Sequence, residues 1–303
     1  MVAYFKMDEY NDGGESSPEW FVDKRMEEKL MRTQISCLPV SLYPEFFSGE
    51  RTVPEYSRQA KELDLDAIDI NALFLREKSM EEIQQIRSEL TVPVLMVSAY
   101  SDFTLPSEEK RAEALETAIA DMRRAQAVGA KYIRLTAGQA YPGEPDDQMV
   151  QRAYDCFAKC AEVSAETGVK ILLENHSKPG AWEYPDYDFH VERFLNLWEA
   201  LKTLPIAVNY DTANAYALKE WERLLEAVAG RIETVHLNDL SSIEPLGFAR
   251  IGAGIVPMQE IVQAVYDTGF NGALCIEEAG FQGWDGIVKA AAYARELSEA
   301  IRK

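Results

Sequence analysis

The sequence predicts an α/β protein that folds as one closed (β/α)8 barrel behind a short N-terminal extension. Three observations lead to this prediction: eight short apolar runs rich in Val, Ile and Leu, eight longer helical patterns in strict alternation with them, and no GxGxxG or GxxxxGK[ST] motif. Strands buried on both faces read as continuous apolar runs, and eight βα units in about 270 residues suit a closed barrel. An open doubly wound sheet is the main rival, but it usually carries a glycine-rich turn after an early strand.

The predicted elements follow one another in a regular order. The strand runs are Gln34–Pro39, Ala67–Phe74, Val92–Ala99, Tyr132–Ala137, Lys170–His176, Ile206–Asp211, Thr234–Asn238 and Ala273–Glu277. Helical patterns lie near 53–64, 79–90, 107–128, 147–167, 187–203, 216–229, 257–268 and 285–302. Ser107 is a predicted helix cap, and Gly129 and Gly168 are placed where helices end in left-handed backbone. We therefore predict that the chain consists of an N-terminal extension over residues 1–31 and a barrel over residues 32–303.

Composition and charge exclude several classes of partner. The 303 residues include 51 acids and 31 bases, for a formal charge of −20 at pH 7. Nucleic acids and anionic membranes are bound through surplus Lys and Arg, so neither is an expected partner. The strongest apolar run is far shorter than the ~20 residues that span a bilayer, and the acidic N-terminus does not resemble a secretory signal. Four cysteines in so long a chain suggest buried free thiols and a cytoplasmic protein.

Polar residues end four successive strand runs. Glu174 follows Leu-Leu, Asp211 follows Asn-Tyr, His236 follows Thr-Val, and Glu277 follows Cys-Ile. In a (β/α)8 barrel these ends meet at the face that carries the active site. Burying carboxylates costs several kcal/mol unless they are paired or bind a cation. We therefore expect one divalent ion here, with Mn²⁺ favoured and Mg²⁺, Co²⁺ or Zn²⁺ as alternatives; ordinary polar residues at a hydrated barrel mouth are the other interpretation.

Five short motifs share their order and spacing with a known family. They are Leu173-Glu174-Asn175-His176, Asp211-Thr212-Ala213-Asn214, Val235-His236-Leu237-Asn238-Asp239, Gly252-Ala253-Gly254 and Ile276-Glu277. Over residues 32–302 the chain thereby resembles the xylose-isomerase-like TIM barrels, the sugar phosphate isomerase/epimerase superfamily that includes inosose dehydratase and the ketose 3-epimerases. The resemblance implies that Glu174, Asp211, His236 and Glu277 hold one divalent metal. It also implies that Glu174 and Glu277 are the acid and base that act on opposite faces of a sugar.

The chemistry expected of such a site is removal of a proton next to a carbonyl. A metal that binds a carbonyl and a neighbouring hydroxyl acidifies the adjacent C–H and holds the enediolate that forms, while one carboxylate removes the proton and another returns it. We therefore expect a sugar or cyclitol isomerase or epimerase with a small-molecule sugar or keto-sugar substrate. A dehydratase or lyase acting on a keto-sugar, an inosose or a 3-oxo-glycoside shares this first step. A non-catalytic metal- or sugar-binding barrel is a further alternative, whereas a phosphate- or nucleic-acid-acting hydrolase is disfavoured by the charge.

Four residues outside the ligand set are candidates for substrate binding. His176 lies two residues after Glu174 and points the same way in an extended strand, either as a substrate contact or proton relay or as a hydrogen-bonded residue of the mouth. Arg250 precedes Gly-Ala-Gly in the loop after the seventh strand, where family members hold substrate oxygens with a basic residue. Asn214 occupies the position where ketose 3-epimerases commonly have His, which weakens the assignment to a free-ketose epimerase. Trp182 is the fourth candidate.

The loop after the fifth strand and one residue of the fourth strand complete the predictions. Lys178, Trp182 and Tyr184 would form a lid over a sugar, or would simply pack in the loop. Arg134 would be buried in the barrel and paired with a carboxylate such as Glu174. The stereochemistry of the reaction and association into a homo-oligomer are left open. Residues 1–30 would cap the barrel or mediate association.

Overall fold

The computed structural model describes residues 32–177 and 182–301 and shows the predicted (β/α)8 barrel. The strands are β1 (Ile35–Leu38), β2 (Ile68–Asn71), β3 (Val94–Ser98), β4 (Tyr132–Leu135), β5 (Lys170–Glu174), β6 (Ala207–Asp211), β7 (Ile232–Leu237), β8 (Asp239–Ser242), β9 (Gly247–Ala249) and β10 (Ala273–Glu277). The helices are α1 (Tyr43–Ser48), α2 (Val53–Glu62), α3 (Leu73–Arg76), α4 (Met80–Glu89), α5 (Glu108–Val128), α6 (Asp146–Thr167), α7 (Val191–Leu201), α8 (Thr212–Ala217), α9 (Trp221–Val228), α10 (Met258–Asp267) and α11 (Gly283–Ile301). The predicted extension over residues 1–31 and the predicted lid residue Lys178 lie outside the described residues.

Eight parallel strands form the barrel in the order β1-β10-β7-β6-β5-β4-β3-β2. The ring closes between its first and last members, where the Asp66 amide donates to the Ile35 carbonyl at 2.9 Å and Ser36 Oγ donates to Asp69 Oδ2 at 2.6 Å. The remaining strands, β8 and β9, form an antiparallel ribbon in the loop after β7. The four strand ends that carry the predicted ligands therefore lie side by side, on β10, β7, β6 and β5.

Side chains on each barrel strand alternate between the helices and the barrel interior. On β5, Ile171 and Leu173 pack in the large core beneath the helices, whereas Leu172 joins a small apolar cluster with Met96 and Tyr132. Glu174 is two residues after Leu172, so its side chain projects into the interior above that apolar cluster. The apolar layer thus occupies the lower barrel and leaves the polar layer at the mouth.

Local structure departs from the sequence pattern at three places. The run Ala67–Phe74 is a strand only to Asn71, because the Asn71 side chain accepts a hydrogen bond from the Leu73 amide at 2.9 Å and starts a helical turn. The single helix predicted over 216–229 is two helices, α8 and α9, separated where Lys219 takes φ +62°. The helix predicted to begin at 187 begins at Val191, because the preceding segment bonds to the loop after β4.

The cysteines and the helices agree with the remaining expectations. All four thiols are free and buried, and burial raises the pKa of Cys156 to about 11, so it is protonated at neutral pH. Ser107 caps α5 through a hydrogen bond from the Lys110 amide at 3.3 Å, and Gly129 ends this helix with φ +84°. Within the described residues, no helix combines the length and apolar character needed to cross a bilayer.

Candidate metal centre at the barrel mouth

Four side chains from four adjacent strands meet at the mouth of the barrel. Glu174, Asp211 and Glu277 are the last residues of β5, β6 and β10, and His236 is the last but one of β7. One ligand atom from each lies within 4.8 Å of the others. Three of the side chains have at most 1% exposure, and Glu277 has 13%. We refer to Glu174, Asp211, His236 and Glu277 as the carboxylate–histidine cluster.

Glu174 makes all of its described contacts through one of its two carboxylate oxygens. Its Oε2 accepts a hydrogen bond from Asn209 Nδ2 at 2.8 Å and lies 3.3 Å from both Arg134 Nε and His236 Nδ1. Thr234 Oγ1 in turn donates to Asn209 Oδ1 at 2.6 Å, which fixes the amide orientation. Glu174 Oε1 makes no hydrogen bond with any residue that the structure describes. The side chain is therefore held from one side and open on the other.

Asp211 is positioned by amide groups around it. Its Oδ1 accepts a hydrogen bond from the Asn214 amide at 2.6 Å, so the carboxylate also caps α8. The Asn175 side chain binds both the amide and the carbonyl of Asp211, each at 2.9 Å. Asn238 Nδ2 donates to Glu277 Oε2 at 2.9 Å and, at the longer distance of 3.4 Å, to Asp211 Oδ2. Asparagines thus orient the carboxylates without adding charge.

The cluster shifts the pKa values of its members in opposite directions. Burial works to raise the pKa of Glu174, but the charges of Arg134 and His236 outweigh it and hold that pKa well below its ordinary value. Burial and the charges of Glu277 and Glu174 raise the pKa of Asp211 far above its ordinary value. Burial works to lower the pKa of His236, yet Glu174 and Glu277 outweigh it and raise that pKa well above normal. The cluster thus sets three carboxylates against two positive groups, Arg134 and His236, and the pKa of one carboxylate, Asp211, is raised in response.

The donor set and its unpaired atoms fit a divalent cation. Three buried atoms of the cluster make no hydrogen bond with any described residue. They are Glu174 Oε1 and the two ring nitrogens of His236. Buried polar atoms are rarely left in this state. Three carboxylates and one imidazole form an O/O/N/O set of the kind that Mn²⁺, Mg²⁺ or Zn²⁺ accepts. The four predicted ligands are thus the residues that would hold the ion.

Two of the predicted substrate-binding residues meet beside the cluster. His176 Nδ1 lies 2.6 Å from Asp186 Oδ1, and Trp182 Nε1 donates to the same oxygen at 2.8 Å. The Tyr100 ring is in edge contact with both rings, with centroid separations of 5.5 Å to His176 and 6.4 Å to Trp182. Arg134 lies 4.6 Å from the centroid of the Tyr100 ring. We call these five residues the mouth wall.

The other two predicted substrate-binding residues are placed differently. Asn214 is buried beside Asp211, and its Oδ1 has no hydrogen-bond partner among the described residues. Arg250 donates from Nη1 to the Ile251 carbonyl at 3.0 Å, and its backbone packs against Gly280. No contact within the described residues joins Arg250 to the cluster. Its role in substrate binding stays a prediction.

Sequence reasoning predicted the ion pair between Arg134 and Glu174, and the 3.3 Å contact between these buried residues confirms it. It missed Asn209, Asp186 and Tyr100, which hold the cluster or the mouth wall. Asn209 carried a usable signal, because it stands two residues before Asp211 and so faces the barrel interior with it. Asp186 had none, since its contact with His176 depends on how the loop after β5 folds back.

The loop after β7 is organised by one buried carboxylate. Asp239 Oδ2 accepts hydrogen bonds from the amides of Gly252 at 3.0 Å and Gly254 at 2.9 Å. Asp239 Oδ1 accepts from the amides of Leu240 at 2.9 Å and Val256 at 3.1 Å. The motif that contains Gly252 and Gly254 therefore holds a loop in place, and Arg250 lies on that loop.

Comparison with known proteins identifies the family. Residues 57–303 match the family model described as xylose isomerase-like TIM barrel. Since the match covers more than half of the chain, the protein belongs to the xylose isomerase-like TIM barrel family, as its motifs predicted. The matched region begins after β1 and contains all four members of the carboxylate–histidine cluster.

Individual relatives are distant. The L-ribulose-5-phosphate 3-epimerase UlaE of Shigella flexneri serotype 5b (strain 8401) is 23% identical over 259 residues, which cover 79% of this chain and 87% of the relative. The crystal structure of a D-tagatose 3-epimerase-like protein superposes with a TM-score of 0.71 at 15% identity and covers 89% of this chain and 98% of its own. The IOLI protein with a bound zinc atom gives 0.66 at 16% identity, with coverages of 89% and 96%. Structural likeness at these identities establishes the fold alone.

Proposed function

We propose that the protein is a divalent-metal-dependent sugar isomerase or epimerase that removes a proton from a carbon next to a carbonyl. The observation that carries the proposal is the convergence of Glu174 and Glu277 with Asp211 and His236 within 4.8 Å at the barrel mouth. A divalent ion held there, which we propose to be Mn²⁺, would polarise a substrate carbonyl and a neighbouring hydroxyl. The epimerase names of the relatives support the same class of reaction.

The two glutamates are suited to different parts of a proton transfer. Glu174 is kept ionised by Arg134, so its carboxylate is charged and able to accept a proton. Glu277 has 13% side-chain exposure, the largest in the cluster, so a proton on this carboxylate exchanges with solvent more readily. An epimerase needs one such group on each face of the carbon that loses its proton. We assign these two roles to Glu174 and Glu277.

The second candidate is a lyase that acts on a keto-sugar, an inosose or a 3-oxo-glycoside. The 2.6 Å contact between His176 and Asp186 favours it, because it places an oriented imidazole beside the cluster. Elimination begins with the same proton abstraction but also requires an oxygen to leave, and a hydrogen-bond donor near that oxygen assists its departure. A sugar-binding barrel without catalysis is the remaining alternative.

Metal analysis tests the ligand assignment. The purified full-length protein should contain about one divalent ion per chain, and Glu174→Gln and Asp211→Asn should each lose it. The matched control is Asp155→Asn, which removes the same charge from an exposed position on α6 and should retain the ion. Retention of the ion in both site variants would overturn the assignment.

A substrate panel in D₂O tests the reaction. The metal-loaded protein is incubated with ketoses, inososes and 3-keto sugars, and NMR follows deuterium entering the carbon next to the carbonyl. An epimeric or isomeric product supports the first candidate, whereas an unsaturated product supports the lyase. A protein that holds its metal and binds sugars yet gives no exchange with any of them would be the non-catalytic barrel.

A further inference from the structure

A buried carboxylate and a buried amide join the loops that follow β3 and β4. Gln139 Nε2 donates to Asp102 Oδ2 at 2.6 Å, and both residues are 8% exposed. Tyr141 OH donates to the same oxygen at 2.6 Å, and the Gln139 amide donates to Asp102 Oδ1 at 3.3 Å. Thr104 Oγ1 lies 3.0 Å from Asp102 Oδ1 and 2.7 Å from the Gln139 carbonyl. We call Asp102, Thr104, Gln139 and Tyr141 the loop brace.

The backbone at Gly138 lets the two loops approach closely. This residue takes φ +122°, a conformation that glycine adopts readily and other residues rarely do. A side chain at this position would also overlap the side chains of Asp102 and Thr104. Buried polar groups that are joined by hydrogen bonds fix one arrangement of the segments that carry them. The loop brace therefore holds the loop after β4 in one place on the loop after β3.

Gln139 extends the same connection to the segment over 184–187. Its Oε1 accepts a hydrogen bond from the Tyr184 amide at 2.9 Å, and the Tyr187 amide donates to the Gly138 carbonyl at 2.8 Å. Asp186 lies between these two attachments and pairs with Gln139 in an antiparallel bridge. The backbone of Asp186 is thus tied to the loop brace on both sides.

Asp186 in turn fixes two rings of the mouth wall. Its Oδ1 accepts a hydrogen bond from Trp182 Nε1 at 2.8 Å and lies 2.6 Å from His176 Nδ1. Because a carboxylate can only accept hydrogen bonds, Nδ1 carries the proton in this contact and Nε2 is the ring nitrogen turned away from Asp186. A continuous series of hydrogen bonds therefore runs from Asp102 to both rings.

We propose that Gln139, anchored by Asp102, is a positioning residue for the mouth wall. It sets the orientation in which His176 and Trp182 meet the substrate. A group that acts on a substrate must be held within about 0.5 Å of its productive position, and a side chain on a loop meets this demand when the loop itself is fixed. The inference rests on the proposed function, since it concerns how the same site orients its sugar. Loss of the brace should lower kcat more than it raises KM, because both rings remain present but sample more orientations.

The indole N–H resonance of Trp182 tests the positioning without a substrate. An N–H that donates to a carboxylate makes a strong, charge-assisted hydrogen bond and resonates downfield. Isotope-labelled tryptophan gives the signals of the full-length protein, and Trp182→Phe identifies the relevant one. In Gln139→Leu we expect this signal to move upfield or broaden while the metal content stays at the wild-type level.

Gln151→Leu is the matched control for this measurement. Gln151 is an exposed glutamine on α6 whose Nε2 also donates to a carboxylate, that of Asp155, at 2.8 Å. Its replacement should leave the Trp182 signal unchanged. An unchanged Trp182 signal in Gln139→Leu as well would overturn the inference.

An exchange of donor and acceptor tests whether Gln139 acts through Asp102. Asp102→Asn sets two amide groups against each other, so kcat should fall about tenfold and the Trp182 signal should shift. Asp102→Asn/Gln139→Glu keeps the shape and net charge of the pair with donor and acceptor reversed, and the glutamate can still accept from the Tyr184 amide. This double variant should return kcat to within about threefold of wild type and restore the signal. Absence of any recovery would overturn the link between the two residues.

Failure of the inference is distinguishable from failure of the proposed function. If the wild-type protein exchanges no deuterium with any sugar, the proposed function is overturned, and the Trp182 signal in the variants still decides whether Gln139 positions the ring. If the wild-type protein exchanges deuterium and Gln139→Leu does so at a rate within about twofold, the inference is overturned and the proposed function stands.

Discussion

The guanidinium Nε of Arg134 lies 3.3 Å from Glu174 Oε2, and both side chains are excluded from solvent. The pair joins the neighbouring strands β4 and β5. It places a permanent positive charge beside the carboxylate that we propose as a base, and the second carboxylate oxygen makes no hydrogen bond within residues 32–177 and 182–301. Arg134 thus positions Glu174 and balances its charge, and both effects can be tested without a substrate.

Removal of Arg134 should destabilise the protein strongly. Arg134→Met leaves Glu174 buried without its partner, and we expect a loss of about 3–5 kcal/mol in the free energy of unfolding of the metal-free protein. Urea denaturation measures it. The double variant Arg134→Met/Glu174→Gln should recover more than half of the loss. The control is Arg193→Met, a partly exposed arginine paired with Asp146, which should cost at most about 1 kcal/mol; an equal loss in both single variants would contradict the prediction.

Metal affinity should rise with pH. In the metal-free protein Glu174 and Glu277 raise the pKa of His236 well above its ordinary value, so the imidazole is protonated near neutral pH. A metal requires the neutral ring, so binding releases this proton, and its release alone should increase the affinity by up to about tenfold per pH unit until the pH exceeds the raised pKa.

The stability of the metal-free protein should change with pH in the opposite sense. The contribution of protonated His236 is fully present below about pH 6.5, the unfolded-state pKa, and is lost as the pH rises through the raised folded-state pKa. For metal binding, calorimetric titrations in buffers of different ionisation enthalpy count the protons that the metal releases. For the metal-free protein, urea denaturation at a series of pH values measures the stability. A metal affinity that does not vary between pH 6 and 8 would exclude the coupling between metal binding and loss of the His236 proton.

The contact between Asp186 and His176 should matter for catalysis and not for metal binding. Asp186→Asn replaces the charged acceptor that holds His176 Nδ1 with a neutral amide, and we expect the rate on the sugar identified in D₂O to fall about 10- to 100-fold with the metal content unchanged. If the lyase candidate is right, product release from elimination should slow more than deuterium exchange. If the epimerase candidate is right, both should slow together. A rate within twofold of wild type would remove this contact from the mechanism.

Asp239 should stabilise the loop after β7. Asp239→Ala leaves four backbone amides, from Leu240 to Val256, without their acceptor, and we expect a loss of at least about 3 kcal/mol in stability. Urea denaturation gives the total, and hydrogen exchange at Gly252 and Gly254 shows whether the effect is local. Asp155→Ala, at an exposed helical position, should change stability by no more than about 0.5 kcal/mol. Unaltered exchange at the two glycines would argue against the assignment.

Part of the site was predictable because barrel topology converts sequence order into position. Glu174, Asp211 and Glu277 end three apolar runs, and strand ends of a parallel barrel share one face. Once the strands were recognised, the meeting of these residues followed. Arg134 was predictable in the same way, because an arginine inside a buried strand requires a carboxylate partner.

Local helix boundaries were less predictable. The pattern over 216–229 predicted one helix, but Lys219 adopts φ +62° and divides it. The pattern over 187–203 included residues that pair with another loop and are not helical. Hydrophobic periodicity reports which face of a segment is buried, and it does not reveal a local side-chain hydrogen bond such as that of Asn71 or a break imposed by neighbouring elements.

The sequence by itself determined the barrel and the meeting of the four predicted ligands at its mouth, because these depend on short-range patterns and on barrel topology. Only the tertiary structure decided which groups remain unpaired. The loop after β5 brings Asp186 to His176 and buries Asp188 without a hydrogen-bond partner among the described residues, and no spacing along the chain encodes these arrangements. They arise because barrel closure and the pairing of two loops set distances between segments that the local sequence does not control.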